Sequence, residues 1–519
     1  MILKNLKKIS ERKESDKMQV LIFTDVSNVI GFGRYAGAYR VATELRIAGY
    51  STQVIEYFSR LSIEDIKKIT DKYIDDKTLF VSFSTTLMLK KNEENQERLE
   101  RSAINKYSGQ LPQDDEFVRE IFSIFKKKNP KLKIALGGGR TNSTDLHGVD
   151  YWFWGMGDAS IVALAEHLKH GKPLKVMKGV VGDVISDVDY PVSHIRDKQI
   201  QWDENDYIIR NEHLPIEIAR GCRFHCSFCA NPLHKKKGEY EKEPTVLKQE
   251  MVLNYEKFGT TGYMFCDDTF NDSKEKVNKY CSVFQTLPFQ LEWTGYARID
   301  TIYGNPEQRE QLLDSGLRAV LIGIETLGEN SYKGVGKGLH PEQIKETLYY
   351  VKEKWKDKVV LTGSFIIGLP GESEDSIWKT VEWLEREDCP LDDVCFNPLN
   401  IRVLKDNPFA PLSKIACDPK KYGYEIELNN EQIGASTVGP QWKNQYMNKS
   451  RAEFLAREVQ KRFMQKSPLA DWAVYSRIRN LGYSHNELMQ MRRNKGNVMP
   501  EINKRSDDLF NQYKRKIIE

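Results

Sequence analysis

Three cysteines fall within one short stretch, Arg220-Gly221-Cys222-Arg223-Phe224-His225-Cys226-Ser227-Phe228-Cys229. Their C-x3-C-x2-C spacing follows closely on an apolar run, Leu214 to Ala219, that reads as a buried strand. Thiolates on so short a loop can converge on one metal centre. Three of them on a four-iron cluster leave one iron without a protein ligand, open to a substrate or cofactor. A structural zinc site is the competing reading. It normally takes a fourth cysteine or histidine, and His225 and His234 keep it open.

Such a loop needs a scaffold, and the chain around it alternates regularly. Strand-like runs stand at Leu214–Ala219, Gly262–Cys266, Leu291–Tyr296, Ala319–Ile324, Val359–Ile367 and Val394–Leu399. Helical patterns separate them at Thr245–Lys257, Lys274–Gln285, Pro306–Ser315, Pro341–Lys354 and Glu374–Glu387. Six strands with intervening helices imply a partial (β/α)6 barrel, and barrels of this kind collect their chemistry at the carboxyl ends of the strands. Polar groups stop the apolar runs there: Cys266-Asp267-Asp268-Thr269, Arg298 with Asp300, Glu325-Thr326, and Gly368 to Glu372. Each has a plain explanation alone, since Asp267 and Asp268 suit a helix N-terminus and Gly368–Gly371 a turn. Four coincidences at four strand ends are harder to dismiss.

The cysteine spacing, Phe228 just before the last cysteine, Gly323-Ile324-Glu325-Thr326 and Gly368-Leu369-Pro370-Gly371-Glu372 together resemble the radical SAM superfamily, over about Pro215–Ile401. The resemblance implies that Cys222, Cys226 and Cys229 ligate a [4Fe–4S] cluster, which reductively cleaves S-adenosylmethionine to a 5′-deoxyadenosyl radical. It implies Phe228 against the adenine, and Arg298, whose planar fork suits a carboxylate, on the methionine carboxylate. Glu325 would reach the ribose hydroxyls or the amine. Ile366 and Gly368 would flank the adenine, where a larger side chain at 368 would intrude. Asp267 and Asp268 stand where the family usually has a Gly-Gly-Glu type motif for the methionine amine, a departure. An electron donor of flavodoxin or ferredoxin type is the partner expected.

Residues 18–175 alternate in the same way and predict a doubly wound parallel sheet. Ligands of such sheets bind beyond the carboxyl ends of the strands, where Asp25–Arg34, Ser84–Thr86 and Gly137–Gly139 would lie. A Ser/Thr pair, Gly-Gly and Gly155-Met156-Gly157-Asp158 occur in the order that resembles the cobalamin-binding domain fused to many radical SAM enzymes. The family's Asp-x-His-x-x-Gly motif is missing, and no histidine precedes His147. Bound cobalamin without a protein histidine and a purely structural or docking domain both stay open.

The fold class expected is therefore α/β: a charged leader (1–17), a doubly wound parallel sheet (18–175), a linker (176–213), the partial barrel (214–410) and a mostly helical C-terminal region (411–519). Residues 441–519 hold 17 Lys and Arg against 8 Asp and Glu, while the whole chain of 519 carries only +4. This asymmetry suggests either a nucleic-acid-binding appendage or a helical cap with a solvated basic face. No apolar stretch reaches the ~20 residues of a membrane span. Eight cysteines, three of them clustered, fit a reducing compartment, so a cytoplasmic location is expected. The leading expectation for function is methyl or related group transfer to an unreactive carbon. A methylthiotransferase would carry three more cluster cysteines, yet none precedes Cys222. A radical cyclase or rearranging enzyme, a nucleic-acid-modifying enzyme and a non-catalytic iron–sulfur protein are the alternatives. The catalytic residues and the substrate are not legible.

Overall fold

A computed structural model describes residues 17–25, 31–84, 115–138, 146–191, 195–230, 240–401, 412–427, 440–464, 472–493 and 498–519. The polar stretch Lys90–Gln113, most of the glycine loop before Arg34, Thr86, Gly139 and His234 lie outside them.

The first domain is a seven-stranded sheet. Its strands are β1 (Val20–Phe23), β2 (Thr52–Ile55), β3 (Phe80–Ser84), β4 (Lys133–Gly137), β5 (Tyr151–Trp154), β6 (Met177–Lys178) and β7 (Asp183–Ser186), in the order β2-β1-β3-β4-β5-β7-β6. All pairings are parallel except β6 with β7. The chain reverses direction across the sheet between β1 and β3, the place where doubly wound sheets open a crevice at their carboxyl edge. Strands buried on both faces read as continuous apolar runs, which is why β1 and β4 were legible. The segment expected to link the domains instead contributes β6 and β7. Four residues, Asp-Val-Ile-Ser, are too few to display a period.

The second sheet runs β13-β12-β11-β10-β9-β8, with β8 (Leu214–Ile216), β9 (Gly262–Phe265), β10 (Glu292–Ala297), β11 (Leu317–Glu325), β12 (Val360–Ile367) and β13 (Asp393–Pro398). Every pair is parallel, so the expected six-stranded partial barrel is the fold found. Trp293, buried and stacked 4.5 Å from Phe265, packs its outer face beneath the covering helices.

The C-terminal region closes both the inner face and the edge. Helix Trp472–Arg479 lies along the inner side: Trp472 packs tilted against Tyr296 at 4.6 Å, Ser476 meets Thr294, and Arg479 pairs with Glu292 at 2.7 Å. It therefore runs antiparallel to β10 along nearly its full length, with Arg479 at Glu292 and Trp472 at Tyr296. Helix Lys449–Met464 covers the outer strand, where Gln460 accepts from the Phe396 amide at 2.8 Å and donates to the Val394 carbonyl at 3.1 Å. A helix laid over an edge strand in this way covers backbone groups that would otherwise invite pairing with another chain. Many basic side chains of these helices lie against acids of the two domains: Arg451 on Glu374, Arg462 on Glu385, Arg492 on Asp392 and Lys514 on Asp65. Much of the charge asymmetry is thus spent within the chain. Among the described residues no helix is long and apolar enough to cross a membrane.

Candidate active site at the carboxyl end of the barrel

The cysteine loop leaves β8 and is pinned at both flanks by backbone contacts. The amides of Ile218 and Ala219 both donate to Asp267 Oδ1 at 3.0 Å, and the Arg220 amide donates to the Tyr240 carbonyl at 2.9 Å. Further on, the Ser227 amide and hydroxyl donate to the carbonyls of Val335 and Gly334, at 3.1 and 2.6 Å. The bend into the first cysteine is made at Gly221, whose φ of +89° suits glycine.

Around the thiols the barrel supplies a cation and a hydroxyl. Arg298, at the end of β10, directs Nη1 to Cys226 Sγ at 3.3 Å and lies over the Phe224 ring at 3.8 Å. Asp300 grips the same guanidinium through two oxygens at 2.9 and 2.6 Å, and Asn271 brackets its backbone. Such a forked pair fixes orientation as well as charge. Thr269 Oγ1 lies 3.7 Å from Cys222 Sγ. Burial pushes the Cys222 thiol up, opposed by the Phe224 amide, the Thr269 hydroxyl and Arg298. A bound metal would reverse that preference, since a coordinating thiol is deprotonated outright.

Phe228 is half-buried against the main core. Asp267 is buried, with Oδ1 on the two loop amides and Oδ2 2.9 Å from the Lys276 ammonium, so both its oxygens are engaged by the chain. Asp268 is exposed, as is Cys266 two residues earlier. Glu325 ends β11 with φ +71° at a register shift, and Lys337 holds it at 2.7 Å. Ile366 is half-buried near the end of β12. The space a side chain at Gly368 would enter is taken by Trp442 and Ala452, 2.5 and 3.3 Å from an added Cβ. Trp442 belongs to β15 (Gln441–Lys443), paired with β14 (Glu425–Glu427). The constraint on this glycine therefore comes from the C-terminal region, which sequence spacing could not reveal.

The structure adds Thr269, Phe224, Lys337 and Glu372. Thr269 had a signal, its place just past β9; Lys337, between Gly336 and Gly338, had none. Glu372 is buried, takes the Thr326 hydroxyl at 2.9 Å and the Gly368 amide at 2.7 Å, and so ties the ends of β11 and β12 together. Burial raises its carboxyl to about 7 from an ordinary 4.5. The folded state thus holds a proton that the unfolded state has given up between those values, and stability falls as pH rises through that window. The loss is of order 3 kcal/mol by pH 8. Glu372→Gln should flatten this dependence in urea denaturation at pH 5 and pH 8; an unchanged slope would remove Glu372 as its source.

Among the described residues no three His, Cys, Asp or Glu side chains are grouped as around a single metal ion. Three thiols on one loop are a donor set that a cluster spreading its ligands over several irons can use, and one of them, Cys226, faces Arg298. Above them the inner face is polar and open: Cys266, Asp268, Tyr296 and Asn397 are exposed.

The comparisons agree with this geometry. Residues 216–384 match the Radical SAM superfamily. An uncharacterised methyltransferase of Pyrococcus horikoshii is 24% identical over 286 residues, covering 52% of this chain and 61% of its own. The anaerobic magnesium-protoporphyrin IX monomethyl ester cyclase of Rubrivivax gelatinosus is 23% identical over 183 residues, 35% of this chain and 32% of its own. The matches thus span about one third to three fifths of these relatives' lengths. In fold, the chain is similar to the radical S-adenosylmethionine methyltransferase TsrM of Kitasatospora setae, solved with cobalamin and a [4Fe–4S] cluster. The TM-score is 0.57 at 15% identity, covering 95% of this chain and 100% of that one.

Proposed function

We propose that this chain, which carries a radical SAM domain in residues 216–384, is a methyl-transferring enzyme that brings two cofactor sites together. The observation that carries the reading is where the domains touch. Asp158 opens the helix that follows β5, at the carboxyl edge of the first sheet, and bonds Arg220 beside the cysteine loop at 2.9 and 3.1 Å. The edge where a doubly wound sheet takes its ligand therefore adjoins the end of the barrel that takes the cluster. Methyltransferases recur among the relatives, and the fold likeness to TsrM covers both domains.

Cys222, Cys226 and Cys229 would hold the [4Fe–4S] cluster, which when bound supplies the electron that cleaves S-adenosylmethionine. Arg298 places a guanidinium beside the Cys226 sulfur. Asp267 and Lys276 lock the loop to the end of β9. Asp268, Tyr296, Glu325, Ser364 and Ile366 line the inner face on which S-adenosylmethionine and substrate would lie, and Glu325 offers a carboxylate to ribose hydroxyls or an amine. Helix Trp472–Arg479 closes the barrel beneath and keeps bulk water from entering by that end. No described histidine of the first domain stands at its sheet's carboxyl edge. His147 precedes β5, and His167 and His170 end the helix that returns from it, all toward the opposite edge. Cobalamin would then be held without a histidine from the described residues of the first domain. A ring-closing reaction is the second reading, favoured by the similarity to the Rubrivivax cyclase.

The test is anaerobic reconstitution with iron and sulfide, then incubation with S-adenosylmethionine, a reductant and hydroxocobalamin. Expected are about four irons per chain, 5′-deoxyadenosine or S-adenosylhomocysteine as product, and cobalamin co-eluting with the protein. Iron retention without either nucleoside product rules the reading out. Cluster and 5′-deoxyadenosine without cobalamin would leave radical chemistry and remove the methyl-transfer proposal.

A further inference from the structure

One network at the domain junction has no role in the chemistry above. Asp158 is the first residue of helix Asp158–His170, where the helix end favours a carboxylate. It accepts from Arg220 Nη1 and Nη2 at 3.1 and 2.9 Å, and from Arg40 Nε at 3.1 Å. The other edge of Arg220 is held by Glu217, Nε to Oε1 at 2.8 Å and Nη2 to Oε2 at 3.1 Å. Arg40, in helix Ala36–Ile47, also binds Glu44 and the Gln199 carbonyl. The side chains of Arg220 and Asp158 are 6% and 12% exposed.

This is more than docking. Every nitrogen of the Arg220 guanidinium is engaged, and its plane is fixed by carboxylates from two domains. Arg220 stands two residues before Cys222, and only the left-handed bend at Gly221 separates them. Holding this guanidinium restrains the Arg220 backbone and, through Gly221, the segment that carries the first thiol.

We propose that Asp158 and Arg220 are a positioning pair, by which the first domain sets the orientation of the Cys222 segment and so the environment of the cluster held there. The proposal rests on the radical SAM reading of the loop. Neither side chain touches a thiol; both act through the backbone. Forked guanidinium–carboxylate pairs suit the task because they resist rotation as well as separation.

The test uses the full chain, reconstituted anaerobically, with Asp158→Asn, Asp158→Glu and Arg220→Lys. Asp158→Asn leaves Glu217 on Arg220 and Glu44 on Arg40, so both guanidiniums keep a carboxylate and the fold should survive. Expected is a full iron complement with an altered electron paramagnetic resonance spectrum of the reduced cluster, most visibly when S-adenosylmethionine is added. Nucleoside formation should fall roughly ten- to a hundred-fold, the scale of a small misplacement at a reacting centre. Asp158→Glu should restore much of both. An unaltered spectrum and rate in Asp158→Asn overturns the proposal, as does a loss of rate that follows unfolding alone with the spectrum unchanged. Should Asp158→Asn fail to fold, Arg220→Lys decides by the same two readouts. If the unaltered chain takes up no cluster, it is the radical SAM reading that fails, and the pairing falls with it.

Discussion

Cys226→Ala is expected to abolish the iron centre and reduce S-adenosylmethionine cleavage to background, while the chain stays folded. Cys226 is buried, and its Sγ faces Arg298 Nη1 at 3.3 Å. The loop, however, is held by its backbone, through Asp267, Tyr240, Val335, Gly334 and Ile415, and not by the thiol. Removing one sulfur therefore costs the fold about 1 kcal/mol, an ordinary single substitution. A cluster deprived of one of three ligands has too few protein bonds to persist. Cys281→Ala is the control. Cys281 is buried in helix Lys274–Phe284, and burial pushes its thiol up to about 11, the behaviour of a small apolar residue. Iron per chain and circular dichroism separate the cases. Full iron in Cys226→Ala, or lost iron in Cys281→Ala, would remove the assignment.

The second large effect is on stability. Arg34 and Glu212, both with side chains at 0% exposure, pair at 2.8 Å where the first domain meets the approach to β8. The Tyr39 hydroxyl and the Tyr207 carbonyl take the remaining guanidinium groups, at 2.6 and 3.0 Å. Glu212→Ala should cost about 3–5 kcal/mol, because it leaves a buried cation without its partner. Replacing both by apolar residues of similar volume should cost clearly less, since no charge is then stranded. Glu56 refines the expectation. Burial raises this neighbouring carboxyl to about 8, against the pull of Arg34. With Glu212 gone, Glu56 can release its proton and partly neutralise Arg34. Glu56→Gln combined with Glu212→Ala should therefore lose more than the sum of the single changes, a coupling that a double-mutant cycle reads directly. Glu212→Ala within 1 kcal/mol of the unaltered chain would show that the pair contributes little.

The barrel was legible because each strand is an apolar run of a few residues, stopped by polar groups at the end where chemistry collects. That pattern is local, so it survives in sequence. The cysteine loop was legible for the same reason, since its chemistry lies within eight residues. Even where a residue stood out, its neighbours did not. Asp267 marked a strand end, but only packing brings it against the amides of Ile218 and Ala219, 49 and 48 positions away. Gly368 marked a tight turn, but the indole that fills the space beside it comes from Trp442.

By itself, then, the sequence determined the parallel strands β1 to β5 and β8 to β13, the place of the cysteines at a strand end, and the family that this spacing resembles. These follow from period, burial and turn chemistry within short windows. The tertiary structure alone decided that helix Trp472–Arg479 lies along the inner face of the barrel, that several basic C-terminal residues pair with acids of the other two domains, and that Asp158 reaches Arg220. Each joins residues tens to hundreds of positions apart. A side chain's charge and size do not say which distant partner will meet them, because that depends on how whole elements pack.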